Sequence, residues 1–196
     1  MPDDSAPVLM VDAIQPQGAM ALLRLRGTVS AFDATGARVM VDGASPPAVF
    51  VYGGQGPYAA EHARTLQISL GAERAAMASV TVRWPSGIVQ RGVTVGVGRT
   101  SEITEPEVVT LSRRVVSADG TSTVEVTVRP QLVGASTARV ELTGAGRWQG
   151  EATTDAQGTH RVLVAPTQAG EARVTVSLDG NPLRVRPRVI FSQASR

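Results

Sequence analysis

The chain has 196 residues, room for one large domain or two small ones, and is 42% hydrophobic but only 4% aromatic, so Val, Leu, Ile and Ala must fill its interior. Net charge is +2 and every basic residue is arginine, scattered among acids without the dense basic face that a nucleic-acid surface needs. The absence of cysteine excludes disulfides, thiolate chemistry and Cys-based zinc sites, though not export.

Residues 1–20 carry Pro2, Pro7, Pro16 and Gly18 around a short apolar stretch and read as a linker or a fragment of a preceding domain. No apolar run is long enough to span a bilayer as a transmembrane segment. The acidic start, Met1 to Ser5, lacks the basic and apolar regions of a signal peptide, so an exported parent carries its signal elsewhere or has lost it. Leu23 and Leu25 alternate with Arg24 and Arg26, a half-buried strand. Ala37, Val39 and Val41 repeat the pattern, and Asp42-Gly43 turns the chain into Val49-Phe50-Val51-Tyr52. Gly53 to Pro57 is a loop. Leu66, Ile68 and Leu70 form the next apolar face, and Gly71 to Ser79 is the one stretch where a short helix is plausible. Val80-Thr81-Val82 then runs into Arg83-Trp84-Pro85-Ser86-Gly87 and resumes at Ile88, which predicts a hairpin with Trp84 on the core face beside Val80 and Val82. Val93, Val95, Val97 and Ile103 close the unit. Glu105-Pro106-Glu107 is the expected boundary, since proline cannot donate to a ladder and flanking charges favour exposure.

Several of these segments also resemble a known family in their order and spacing. They are Leu23 to Thr28, Asp33 to Val39 with its Gly36-Ala37-Arg38 step, Gly54-Gln55-Gly56-Pro57-Tyr58, Leu66 to Gly71 and the Trp84-Pro85-Ser86-Gly87 turn. Together, over about residues 20–105, they resemble the ASPIC/UnbV domain. The chain departs from that pattern at Ala31, Thr35 and Ile68-Ser69-Leu70-Gly71. The resemblance implies a small β domain of a secreted protein, usually placed behind an FG-GAP-type β-propeller, and it implies no activity. No propeller is present in this sequence, so the chain is expected to be the C-terminal piece of a larger protein or a relative that lost its head.

The second half alternates on a different template. Val124, Val126 and Val128, then Ala138, Val140 and Leu142, then Ala172, Val174, Val176 and Leu178 define apolar faces, separated by turn chemistry at Asp119-Gly120, Asp155 to Gly158, Pro166 to Gly170 and Asp179 to Pro182. Short, evenly spaced strands with glycine-rich turns imply a β-sandwich. Ser117 to Thr123, Thr154 to Thr159 and Ala169 to Val176 resemble bacterial Ig-like domains of the invasin type over about 107–192. The expected organisation is therefore all-β: a linker at 1–20, an ASPIC/UnbV-like β domain at 21–105 and a bacterial Ig-like β-sandwich at 106–196.

Chemistry requires a base, nucleophile or metal in mutual reach. His62 and His160 lie in different predicted domains, no Gly-x-Ser-x-Gly elbow is present, and Asp33, Asp42, Asp119, Asp155 and Asp179 sit in turn-like segments without the ligand density of a calcium loop. No catalytic, metal or cofactor site is expected, and both histidines read as surface residues. Tyr58 sits on a glycine-rich loop. It covers the end of the first core or stacks on a sugar ring, and it is retained as a candidate glycan-stacking aromatic. Trp84 and Trp148 read as core. Arg184, Arg186 and Arg188 recur at every second position and, on an extended strand, would project on one face. They are a candidate stripe for an anionic ligand such as an acidic polysaccharide, or a charged edge, helped by Pro187, that resists strand-to-strand aggregation.

The expected object is a non-catalytic module of an exported bacterial protein, extracellular or on the cell surface, that positions a recognition head or makes adhesive or assembly contacts. Expected partners are a propeller domain or a cell-surface protein, with anionic polysaccharide as a ligand and no nucleic acid. Two alternatives are carried: an accessory region of an exported hydrolase whose catalytic domain lies outside the chain, and a self-associating structural subunit of an extracellular assembly.

Overall fold

Period-two alternation of Val, Leu and Ile with Arg and Thr is realised as strands along the whole chain. The computed structural model describes residues 19–44, 49–51, 65–71 and 77–193, and within them it is all-β apart from one 3-10 turn at Pro130–Val133. The first unit contains two sheets. In the three-stranded sheet, β1 (Ala19–Arg26) is central, antiparallel to β4 (Leu66–Gly71) and parallel to β7 (Thr100–Thr104). The other runs β3 (Val49–Val51), β2 (Arg38–Val41), β5 (Met77–Arg83), β6 (Val89–Gly96), all antiparallel. Leu23, Leu25, Val39, Val80, Val82, Val95 and Ile103 are buried between them.

The stretch with expected helical character has strand at both of its described ends. Gly71 closes β4, and Met77 to Ser79 open β5, where Ala78 pairs with Val95 and Val80 with Val93 across the ladder. Burial with period two decides the outcome there; residues 72–76 lie outside the described set.

The second unit is an Ig-like β-sandwich. One sheet has the order β12 (Gly146–Thr154), β13 (His160–Pro166), β10 (Val124–Val128), β8 (Val109–Leu111). The other has β11 (Ala138–Gly144), β14 (Gly170–Leu178), β16 (Arg188–Ser192), β9 (Val115–Ser117), with the two-residue β15 (Asn181–Pro182) added to β14. The chain changes sheets between β8 and β9. Val124, Val126, Val128, Val174, Val176, Val189 and Phe191 fill the interior. Every described strand pair lies within 19–104 or within 109–192, yet the buried apolar residues form one cluster across both units, with Ile88, Val108, Val133 and Leu183 among its members.

Candidate functional site

The Trp84-Pro85-Ser86-Gly87 turn connects β5 to β6. Trp84 N–H donates to the Ile88 carbonyl at 2.8 Å and Gly87 N–H to the Trp84 carbonyl at 3.0 Å, which closes the turn. The Trp84 indole is 3% exposed and continues the buried face of Val80 and Val82, and its Nε1 reaches the Gln90 side-chain oxygen at 3.1 Å. The sequence reading of Trp84 as a core residue therefore describes its surroundings.

Glu105, expected to be exposed at a boundary, is instead 1% exposed. Its charge is accommodated because a loop of the first unit converges on it. The N–H groups of Thr28, Val29 and Ser30 donate to Oε2 at 3.0, 3.0 and 2.7 Å, while the hydroxyls of Ser30 and Ser86 donate to Oε1. Thr28 Oγ1 adds a bond to the Glu105 carbonyl, and Ser86 N–H donates to Ser30 Oγ at 3.0 Å. Burial opposes the charge, but the Ser86 hydroxyl together with the Ser30 and Thr28 donors outweighs it and holds the carboxyl below its usual range. Three segments far apart in sequence, the 28–30 loop, the Ser86 turn and the end of the first unit, are thus tied at one carboxylate.

The same turn touches the second unit. Arg184 N–H donates to the Ser86 carbonyl at 2.7 Å. Gly87 has φ +92°, and a Cβ there would meet Arg184 N at 3.2 Å and the Pro182 carbonyl oxygen at 3.3 Å, so only glycine fits both the turn and the approach. An exposed ion pair between Arg91 and Asp179, 3.9 Å apart, flanks this contact.

Beside the contact opens a cleft of about 620 Å³, lined on the first unit by Thr28, Val29 and Ile88 and on the second by β8, Arg114 and the 183–190 segment. It has three arginines, Arg114, Arg186 and Arg188, against one carboxylate, Glu107.

All three arginines of the sequence stripe are exposed, but only Arg188 belongs to a strand; Arg184 and Arg186 lie in the segment before β16. Arg186 and Arg188 line the cleft, joined there by Arg114, and Arg184 is not part of the lining. Arg188 faces Glu171 at 3.6 Å. Tyr58 and His62 lie outside the described residues. His160 Nδ1 contacts Thr154 Oγ1 at 2.8 Å on neighbouring strands. Trp148 is half-buried against the sandwich core. Asp119 and Asp155 accept N–H bonds from their own turns, which lower both carboxyls. Asp42 and Asp179 do other work: Asp42 accepts from Ser79 and Thr81 on β5, and Asp179 from the Ser136 and Thr137 N–H groups before β11. No group of three His, Asp or Glu is placed to hold a metal among the described residues. Sequence reasoning missed Ser30, Ser86, Glu105 and Arg114. The only available signal was the position of Ser86 in the turn motif.

Among solved structures, the chain is similar to the Yersinia pseudotuberculosis adhesin InvE, with 24% identity, 44% of this chain and 26% of that one covered, and a TM-score of 0.36. For invasin, a bacterial integrin-binding protein, the identity is 22%, the coverage 81% and 32%, and the TM-score 0.36; for the D00-D0 domain of intimin they are 16%, 91% and 87%, and 0.38. The chain spans about a third or less of the length of the first two, and at these scores the likenesses decide nothing further about it. No curated protein matches the sequence. Residues 27–110 match the family model described as ASPIC and UnbV, a segment that takes in the 28–30 loop, the Trp84 turn, Glu105 and the start of β8.

Proposed function

We propose that the chain is a rigid, non-catalytic positioning module of an exported bacterial surface protein, in which the ASPIC/UnbV-like unit and an invasin-type Ig-like sandwich hold a neighbouring recognition domain at a fixed angle. The observation that carries this reading is the junction. A buried carboxylate with five donors, a glycine in close backbone approach and a direct backbone hydrogen bond all lie where the units meet. A flexible tether needs none of these, because linkers derive their freedom from solvated backbone. The boundary between the two domains falls at Pro106, and the preceding propeller expected from the family resemblance is the domain to be positioned. The extracellular and bacterial assignment is supported by that resemblance and by the turn motifs of the second half.

Backbone ¹⁵N relaxation of the whole chain tests the positioning role. Both units should report one common tumbling time and one diffusion tensor. Separate tumbling of 19–104 and 109–192 would overturn the role. Antibody raised against the chain should label intact cells of the source bacterium; labelling only after lysis would remove the surface assignment.

A further inference from the structure

The cleft beside the junction borders a strand edge that pairs with no other strand among the described residues. Strand β8 is last in its sheet, and its ladder with β10 is phased by bonds from Ser112 N–H to the Glu125 carbonyl and from Arg129 N–H to the Val108 carbonyl. Backbone groups alternate direction along a strand, so the Val108 carbonyl, Thr110 and Ser112 face β10. The Val108 N–H donates to the Pro106 carbonyl, while the N–H and C=O of Val109 and Leu111 face away. Among the described residues those groups have no hydrogen-bond partner. Val109, Thr110 and Leu111 all line the cleft. A strand presenting one face would contribute every second residue, so three in succession mean that the cleft is bordered by the edge. Its lining sets the aliphatic side chains of Val108, Val185 and Ile190 beside polar and charged ones and, among the described residues, includes no aromatic ring on which a sugar could stack. At the rim, Arg114 and Arg186 form no ion pair among the described residues.

We propose that this cleft accepts an extended acidic segment of a partner polypeptide, which adds a strand to β8 through the Val109 and Leu111 backbone, places aliphatic side chains against Val185 and Ile190, and pairs its carboxylates with Arg114 and Arg186. Strand addition takes affinity from main-chain hydrogen bonds and selectivity from alternate side chains. The cleft volume falls within the ~300–1,000 Å³ common for ligand sites. The groups that would hold the segment belong to the second unit, but Thr28, Val29 and Ile88 of the first unit close one side of the cleft. The site therefore rests in part on the proposed junction, and the relaxation measurement above distinguishes a failed junction from a failed site.

The probe is a fluorescent acetylated peptide, Thr-Glu-Val-Glu-Val-Glu-Thr, titrated into the full chain at low and high salt. Binding should weaken with salt, and the Val109 and Leu111 amides should shift in NMR spectra. Replacing both Arg114→Gln and Arg186→Gln should weaken binding about tenfold or more, as expected for lost charge-assisted hydrogen bonds. Arg184→Gln should leave it unchanged. A peptide N-methylated at alternate amides should not bind. No binding at low salt, equal binding of the methylated peptide, or equal binding by the double variant would each overturn the proposal. Binding of polygalacturonate without binding of the peptide would also overturn it and assign the cleft to acidic polysaccharide.

Discussion

Truncation of Glu105 is the most informative perturbation of the junction. Glu105→Ala removes the acceptor for five donors. The Ser86 hydroxyl belongs to a residue that is 3% exposed, so it would be left buried without its partner, at about 1–3 kcal/mol. The other four donors lie in the 28–30 loop, which is half-buried or exposed, and water reaches them at lower cost, about 0.5 kcal/mol each by the same scale. The sum is about 3–5 kcal/mol, the range found when one member of a buried charged arrangement is removed and a large share of a small protein's stability. Glu105→Gln should cost less, about 1–2 kcal/mol, because its amide oxygen keeps the three N–H bonds and the two serine hydroxyls can turn to accept from its NH₂ group. Urea unfolding followed by tryptophan fluorescence reads both variants against wild type. An alanine variant within about 1 kcal/mol of wild type would mean that the carboxylate is not the acceptor on which those donors depend.

Other outcomes follow from the same geometry. The folded-state pKa of Glu105 is depressed, so its stabilising contribution is complete above the ordinary value near 4.5 and is lost as pH falls through the lower folded value; the stability of wild type should drop across that acid window, and the decline should be shallower in Glu105→Gln. Trp84→Ala should lose about 3–5 kcal/mol in thermal or urea unfolding, as for other buried aromatics, and an unaltered midpoint would remove Trp84 from the core. Gly87→Ala must adopt φ +92° and press on the 182–184 backbone, so it should cost about 1–3 kcal/mol and shift the Arg184 amide resonance; an unperturbed spectrum would remove the close approach.

Strands whose two faces differ were legible from sequence, and the others were not. Val124 to Val128 and Ala172 to Leu178 alternate cleanly because one face is buried. Strand β12 gave no such signal: Trp148 is half-buried while most of its neighbours are exposed, so pairing with β13 rather than burial defines it. The alternating arginines suggest one extended strand, but Arg184 and Arg186 precede β16, because Leu183 is buried and Arg184 N–H is committed to the Ser86 turn. Glu105 departs from the exposure its sequence context predicts for a physical reason. A carboxylate beside proline ordinarily faces water, and nothing local announces that a loop about 75 residues upstream will surround it with donors. The turn motif was conspicuous in sequence, but its contact with the second unit is a tertiary fact. For the same reason Arg114 could not be grouped with Arg186 before the sheet change between β8 and β9 brought them to one cleft.

In the proposed function, the Ser86–Glu105 junction holds the two units at a fixed angle. The chain has no cysteine, so two can be introduced without background, at Thr94→Cys on β6 and Thr143→Cys on β11, both exposed. Spin labels at these positions report the distance distribution between the units by pulsed electron resonance. A single narrow distribution, broadened when Glu105→Ala is added, is the expected result; a broad distribution in the otherwise unaltered chain would contradict the claim.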